Sequence, residues 1–371
     1  MKIGIDIRCL MAENYSGVSW YTFNLLKSIF ELDNNNEYIL FYNNSKPVDL
    51  PKFNYPNVSY VGFKYSNKIL NLMFVLFNRP KIDQMIGGAD VFFMPNINFS
   101  ALSVNCQKVI TVHDLSYLRY PQFLTSKSRF WHQIIIAKKI IQQAERVIAV
   151  SENTKKDLIE LLGVDESKIK VIYEGVDSKF QVVNNPVELN RVRQKYKLPD
   201  KFVLYLGTIE PRKNIEGIIE AYSKLKINHY LVIGGGVGWK SDAIMKLVRN
   251  NAKIKLIGYV AEADKRGLYN LADLFVYPSY YEGFGLPPLE AMACGTPVIV
   301  GSNSSQSEVI GDGGLLVDPY NVNEISRAME IMLTNKELMD QFIIAGQKVA
   351  ASYRWQKTAQ ATLEVFKSLG K

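Results

Sequence analysis

Residues 274–300 read LFVYPSYYEGFGLPPLEAMACGTPVIV, and the order of local signals in this stretch sets the architecture of the chain. An apolar run, Leu274–Tyr277, is closed by Pro278, and a loop carrying Gly283 and Gly285 follows. A helix is expected from about Leu286 to Cys294, with Pro287 in its first turn and Gly295 as its stop, before a second apolar run at Pro297–Val300. Proline's fixed φ suits a first helical turn, and glycines permit tight turns and close backbone approach. Short, continuously apolar runs joined through a helix are the signature of strands buried on both faces of a parallel sheet.

Outward from this unit, the same alternation covers the 371 residues. Strands are expected at Lys2–Ile7, Tyr38–Tyr42, Val58–Phe63, Val91–Met94, Val109–Val112, Val147–Val150 and Lys170–Tyr173. A second series follows at Phe202–Leu206, Tyr230–Ile233, Ile254–Ile257, Leu274–Tyr277, Pro297–Val300 and Leu315–Val317. This pattern, in a chain too long for one core, predicts an α/β protein with two Rossmann-like, doubly wound parallel-sheet domains facing a cleft. The boundaries expected are 1–180 for the N-terminal domain, 181–199 for a polar linker region, and 200–352 for the C-terminal domain. Residues 353–371 then form an amphipathic helix on one domain or crossing back to the first.

Composition narrows the function classes. The net charge of +8 favours anionic partners: nucleotide diphosphates, acidic lipid surfaces or nucleic acid. The positive charge is dispersed and no nucleic-acid module is present, which disfavours the last. Cys9, Cys106 and Cys294 form no CxxC pair, so neither a disulfide framework nor a zinc site is expected, and a reduced cytosol fits. The N-terminus reads as a strand rather than a signal peptide. Ile69–Phe77, the longest apolar stretch, contains Asn71 and is far short of the ~20 residues that span a bilayer. The expectation is a cytoplasmic protein, soluble or peripheral on the inner face of the membrane.

Ligands of doubly wound sheets bind beyond the carboxyl ends of the strands, so the turns there hold the candidate residues. Glu282 and Glu290 sit eight residues apart across the loop-helix junction. Isolated acids there would be ordinary helix-start charges. With flanking glycines and a Pro-Pro helix start, they read as two carboxylates facing a ligand cleft. The helix mouth at Gly285 and Leu286 offers backbone N–H groups to phosphate or sugar hydroxyls. Arg212 and Lys213 follow the strand Phe202–Leu206, and His113 follows Val109–Val112. Gly234–Gly238 lacks the G-x-G-x-x-G spacing, which argues for a turn and against a nicotinamide cofactor.

The segment EGFGLPPLEAMACGTPVI, residues 282–299, closely resembles the donor-site motif of the family 4 retaining glycosyltransferases, which have the two-domain GT-B fold. Residues 207–214 (GTIEPRKN) look like that family's diphosphate loop. Residues 111–117 (TVHDLSY), 151–158 (SENTKKDL), 172–177 (IYEGVD) and the Tyr15–Val18 turn also match its pattern. The resemblance implies that Arg212 and Lys213 contact the donor's diphosphate, so that neither a metal ion nor another cofactor is required. It implies that Glu290 binds the donor ribose and that Glu282 contacts the transferred sugar. Gly283, Phe284, Gly285 and Leu286 would complete that wall, with Tyr259 beside the base. Gly17 would approach the diphosphate, and His113 would orient the donor sugar, with acid–base chemistry as a second role. Front-side attack, in which the leaving phosphate accepts the acceptor's proton, comes with the same resemblance.

On the acceptor side, Lys68–Lys81 and Lys127–Ile141 mix basic and apolar residues. They fit either core-packing helices with charged edges or a surface for anionic membranes. The function expected is transfer of a hexose to a growing, lipid-linked cell-surface glycan. The best donor reading, mannose from GDP-mannose, rests on the similarity of residues 113–121 (HDLSYLRYP) to polysaccharide mannosyltransferases. Other UDP- or GDP-sugar transferases, a GT-B phosphorylase or epimerase, and a catalytically silent partner subunit remain open.

Overall fold

The computed structural model describes residues 1–13, 15–123 and 134–370. Their contacts separate into two units. The first takes residues 1–119, 134–175 and 354–370; the second takes residues 120–123 and 176–353.

The first unit holds seven strands: β1 (Lys2–Asp6), β2 (Glu37–Asn43), β3 (Val58–Phe63), β4 (Val91–Met94), β5 (Gln107–Val112), β6 (Arg146–Ala149) and β7 (Ile169–Val171). They form one sheet in the order β3-β2-β1-β4-β5-β6-β7, and every pairing is parallel. Register is set by the apolar runs themselves: Ile3 lies opposite both Tyr38 and Val91, all fully buried. The order reverses between β1 and β4, which makes that pair the switch point where strand exits splay apart. Helix α1 (Gly17–Leu32) begins at Ser16, whose hydroxyl accepts from the Ser19 N–H, and buries Tyr21, Leu25, Leu26, Ile29 and Phe30. Helix α2 (Asn67–Phe77) follows the edge strand β3 and buries only Leu70 and Phe74. Of the second basic-apolar segment, residues 127–133 lie outside the described residues.

The C-terminal helix, Trp355–Lys367, counts with this first unit. Trp355 meets Tyr21 of α1 edge-on with ring centroids 5.7 Å apart, and Phe366 meets Phe93 of β4 at 5.3 Å. The Thr358 hydroxyl donates to the Tyr173 carbonyl at 2.8 Å, fixing the helix beside the end of β7.

The second unit holds β8 (Phe202–Leu206), β9 (Tyr230–Gly234), β10 (Ile254–Gly258), β11 (Leu274–Tyr277), β12 (Val298–Gly301) and β13 (Leu315–Val317). Their order is β10-β9-β8-β11-β12-β13, again parallel throughout, with the switch point between β8 and β11. All thirteen expected strands are present, five with the expected bounds and the rest with ends shifted by one or two residues.

Residues 181–199, expected as a linker, fold instead into this unit. Helix α3 (Pro186–Tyr196) is capped by Asn185, whose side chain accepts from the Val187 N–H at 3.0 Å, and Pro186 occupies its first turn. It docks through buried Val192 on a helix bearing Gly267, where even a Cβ would come within 2.8 Å of Val192. Arg266 donates to both Glu188 carboxylate oxygens, adding a two-pronged ion pair. One apolar side chain and a few charges hold this helix, and for that reason its sequence reads as polar linker.

Helix α4 (Ile215–Ser223) follows β8, α5 (Glu262–Leu271) follows β10, and α6 (Leu286–Ala293) follows β11. The glycine cluster after β9 has a steric reason. Gly235 takes a φ of +136°, and a Cβ there would fall 1.8 Å from the Gly207 carbonyl oxygen, so the exits of β8 and β9 cross at glycine.

Candidate functional site

In the second unit the loops leaving β8 and β11 flank the switch point, and both carry charge. The β8 exit runs Gly207-Thr208-Ile209-Glu210 and then one 3₁₀ turn, Pro211–Lys213, before Asn214 takes a left-handed conformation (φ 56°) and opens α4. The Asn214 amide donates to the Pro278 carbonyl at 3.1 Å and the Pro319 carbonyl at 2.6 Å. That one side chain ties together the exits of β8, β11 and β13.

Held this way, Arg212 and Lys213 meet Glu282. The Lys213 ammonium donates to Glu282 Oε1 at 2.6 Å and to the Tyr277 hydroxyl at 2.7 Å. Arg212 donates from Nη1 to Glu282 Oε2 at 3.1 Å and to the Tyr281 carbonyl at 2.7 Å, and from Nη2 to Glu210 at 2.7 Å. Glu210, Lys213 and Glu282 are all buried. The four groups form a compact quartet of two cations and two carboxylates, a balance that lets charge stay out of water.

The electrostatics of the quartet are asymmetric. Burial alone would raise the Glu282 carboxyl, but Lys213 and Arg212 together hold it at about 2. Lys213 is pulled below the ordinary lysine value, first by burial and then by Arg212, against the attraction of Glu282 and Glu210. Glu282 faces two cations, whereas Lys213 shares its carboxylates with a neighbouring guanidinium. Glu282 is therefore firmly ionised, and Lys213 is the group an added anion would help.

Glu290 lies elsewhere in the unit's chemistry. It sits in α6 about a turn past Gly285, is buried, and accepts from the Tyr269 hydroxyl of α5 at 2.8 Å. Burial and nearby Glu262 raise its carboxyl, opposed by Lys265. The two glutamates that the sequence places eight residues apart thus hold different partners: Glu282 the β8 loop, Glu290 the face of α5.

The α6 mouth is shaped by Gly285, at φ 104° and ψ 56°, with Pro287 and Pro288 directly inside. Two prolines remove two of the four N–H groups that a helix start normally presents, leaving those of Gly285 and Leu286. These are the two residues that the sequence reading placed at the mouth. Phe284 is buried, with its ring edge-on to Tyr353 at 5.7 Å, and its carbonyl accepts from Ser305. Tyr259, just past the edge strand β10, is exposed.

In the first unit, His113 leaves β5 beside the switch strand β4. Its Nε2 lies 2.9 Å from the Pro95 carbonyl at the exit of β4, and its Nδ1 lies 3.1 Å from Glu174. Tyr21 of α1 stands edge-on to the imidazole at 4.6 Å, which joins the helix opened by Gly17 to His113. Both ring nitrogens are therefore engaged within the unit, and contact with a ligand through either would exchange one of these bonds.

Sequence reasoning did not single out Glu174, Glu210, Tyr277, Tyr269 or the buried pair at the β1 exit, where Arg8 donates to Asp6 at 2.6 Å. The signal for Glu174 lies in the family-like block at residues 172–177 (IYEGVD), of which it is part.

Residues 15–180 match the family model described as Glycosyltransferase Family 4, and residues 187–349 match that of Glycosyl transferases group 1. The chain is 34% identical over 269 residues to O-antigen chain mannosyltransferase B of Escherichia coli, covering 70% of each chain. It is 31% identical over 283 residues to the serotype-specific mannosyltransferase WbdA of Escherichia coli, covering 74% of this chain but only 35% of that relative. In fold it is similar to Anabaena HepE, solved with UDP and glucose, at a TM-score of 0.76 and 18% identity, covering 99% of this chain and 100% of that one.

Proposed function

The chain belongs to the group 1, family 4 glycosyltransferases, which share the GT-B fold, and from that membership we propose a retaining, metal-independent hexosyltransferase. Its donor is GDP-mannose and its acceptor a growing, lipid-linked cell-surface glycan. The observation that carries this reading is the buried quartet Glu210, Arg212, Lys213 and Glu282 at the switch point of the second unit. Cleaving a sugar–diphosphate bond puts negative charge on the leaving phosphate, and fixed cations aimed at that charge lower the barrier. The mannose assignment is supported by the names of the O-antigen and serotype-specific mannosyltransferase relatives. A nucleotide-linked donor is supported by the UDP found in HepE.

In this reading the bond from the sugar C1 to the diphosphate oxygen breaks while a bond from C1 to an acceptor hydroxyl oxygen forms on the same face. The hydroxyl proton passes to the leaving phosphate. Arg212 and Lys213 take up the phosphate charge, and a carboxylate at Glu282 faces the developing positive charge on the ring. Glu290 accepts from ribose hydroxyls, Tyr259 flanks the base, and Gly283 to Leu286 close on the donor. His113 orients the transferred sugar, and Gly17 lets backbone approach the diphosphate.

A thermal-shift panel tests the donor. A ligand at about 100 times its Kd that binds only the folded state adds roughly 2.7 kcal/mol of stability, so GDP-mannose should raise the melting temperature by several degrees. A response to UDP-sugars alone would overturn the nucleotide assignment, and none to any donor would overturn the site. Transfer should continue in EDTA, because the two side-chain cations supply the positive charge; abolition by EDTA and recovery with Mg²⁺ would refute metal independence. The anomeric configuration of the product, read by NMR, decides retention.

A further inference from the structure

We propose that helix α2 is a docking face for an anionic lipid bilayer. The helix buries only Leu70 and Phe74; Ile69, Leu72, Met73, Val75, Leu76 and Phe77 are between 38% and 68% exposed. At 100° per residue, Leu72, Leu76, Ile69 and Met73 form a continuous stripe, with Val75 on one flank and Phe77 on the other. An apolar helix surface of this breadth belongs in a core, in a partner or in the boundary region of a membrane. Leu70 and Phe74 settle which face meets the core, and the broad stripe is not that face.

Charge chooses the occupant. Residues 50–82 contain no aspartate or glutamate but carry Lys52, Lys64, Lys68, Arg79 and Lys81, in a chain whose totals, 44 basic and 36 acidic, are near balance. Lys52, Lys64, Lys68 and Arg79 are exposed, and Lys81 donates to the Leu102 carbonyl. Cations around an apolar stripe, without a single acid among them, match a surface that is negative over a wide area and apolar just beneath. A protein partner would need acids placed to meet each lysine. No helix among the described residues is long and apolar enough to cross a membrane, so the contact is lateral. The proposal does not depend on the donor-site reading.

The test uses the full chain with phosphatidylcholine vesicles, with and without phosphatidylglycerol, at low ionic strength. Co-sedimentation is expected only with the anionic vesicles, and should fall at least tenfold in high salt. In the unaltered protein, amide exchange across residues 67–77 should slow when anionic vesicles are added, a readout free of any folding defect. The double variant Leu72→Glu, Leu76→Glu should lose at least tenfold in vesicle binding while keeping its melting temperature. No binding to anionic vesicles at low salt, unchanged binding by the double variant, or unchanged exchange at α2 each overturns the proposal. So does a dimer, seen by light scattering, that the double variant converts to monomer, because the face then belongs to a second copy.

Discussion

Lys213 is the residue at which burial, charge and chemistry meet. Its ammonium is buried, bound by Glu282 and Tyr277, and depressed below the ordinary lysine range. Lys213→Ala leaves Glu282 with Arg212 alone, and stranding a buried charge costs about 3–5 kcal/mol. That variant should melt earlier and lose roughly 10²–10³-fold in kcat, the usual effect of removing one charge-stabilising group. Glu282→Gln separates binding from chemistry. It removes the anion that already occupies both cations, so calorimetry should show GDP binding more tightly while kcat falls; weaker GDP binding would contradict the quartet's role. Because Glu282 is held at about 2 against an ordinary 4.5, its ion pairs add stability that is fully present above pH 4.5 and drains away as pH drops toward 2. Glu290 is raised instead, so its ionised form is the strained one, and its protonation on acidification relieves rather than removes stability. As a ribose acceptor it must be ionised, so GDP affinity should decline on the acid side above the ordinary glutamate range. Calorimetry on Glu290→Gln should show weaker binding without that decline.

At the scale of elements, the fold was legible because parallel strands buried on both faces leave unbroken apolar runs. β8 (FVLYL) and β11 (LFVY) are buried along their whole length, and such runs have no competing reading. Helix α3 was not legible, since its only buried side chain is Val192 and its hold on α5 lies in ion pairs from residues about seventy positions away. The candidate site divides in the same way. Strand exits told where Arg212, Lys213, Glu282 and His113 must lie, because topology fixes that from local order. Partner choice was hidden: nothing local says that Glu282 takes Lys213, or that Glu290 takes Tyr269. The α2 face was undecided for a related reason, since an apolar helix has the same sequence whether its stripe meets core or solvent. Gly285 is the element-scale hinge between the two glutamates. At φ 104° it sits where a side chain is strained, so Gly285→Ala should lower stability by about 1–2 kcal/mol and weaken GDP binding, read by thermal shift with and without nucleotide.

For the molecule as a whole, the path of the chain has a mechanical consequence. It leaves the first unit at Gly175, builds the second, and returns at Arg354 to finish the first. The returning helix contributes Leu363, Val365 and Phe366 to buried surface, and side chains of this size add about 1.5–3 kcal/mol each when fully buried. Together that is roughly 5–9 kcal/mol, comparable with the 5–15 kcal/mol that keeps a whole domain folded. The first unit therefore cannot reach full stability until the helix Trp355–Lys367 is made, whereas the second is complete at Tyr353. A chain truncated after Tyr353 should show amide exchange sharply faster in β1, β4 and α1, where Phe93 and Tyr21 lose Phe366 and Trp355. Amides of β8, β11 and α6 should stay protected. The single change Phe366→Ala should act in the same direction, at about 3–5 kcal/mol for a fully buried ring. Equal loss of protection in both units would mean that they fold as one cooperative body, and the order of completion argued from the chain path would not hold.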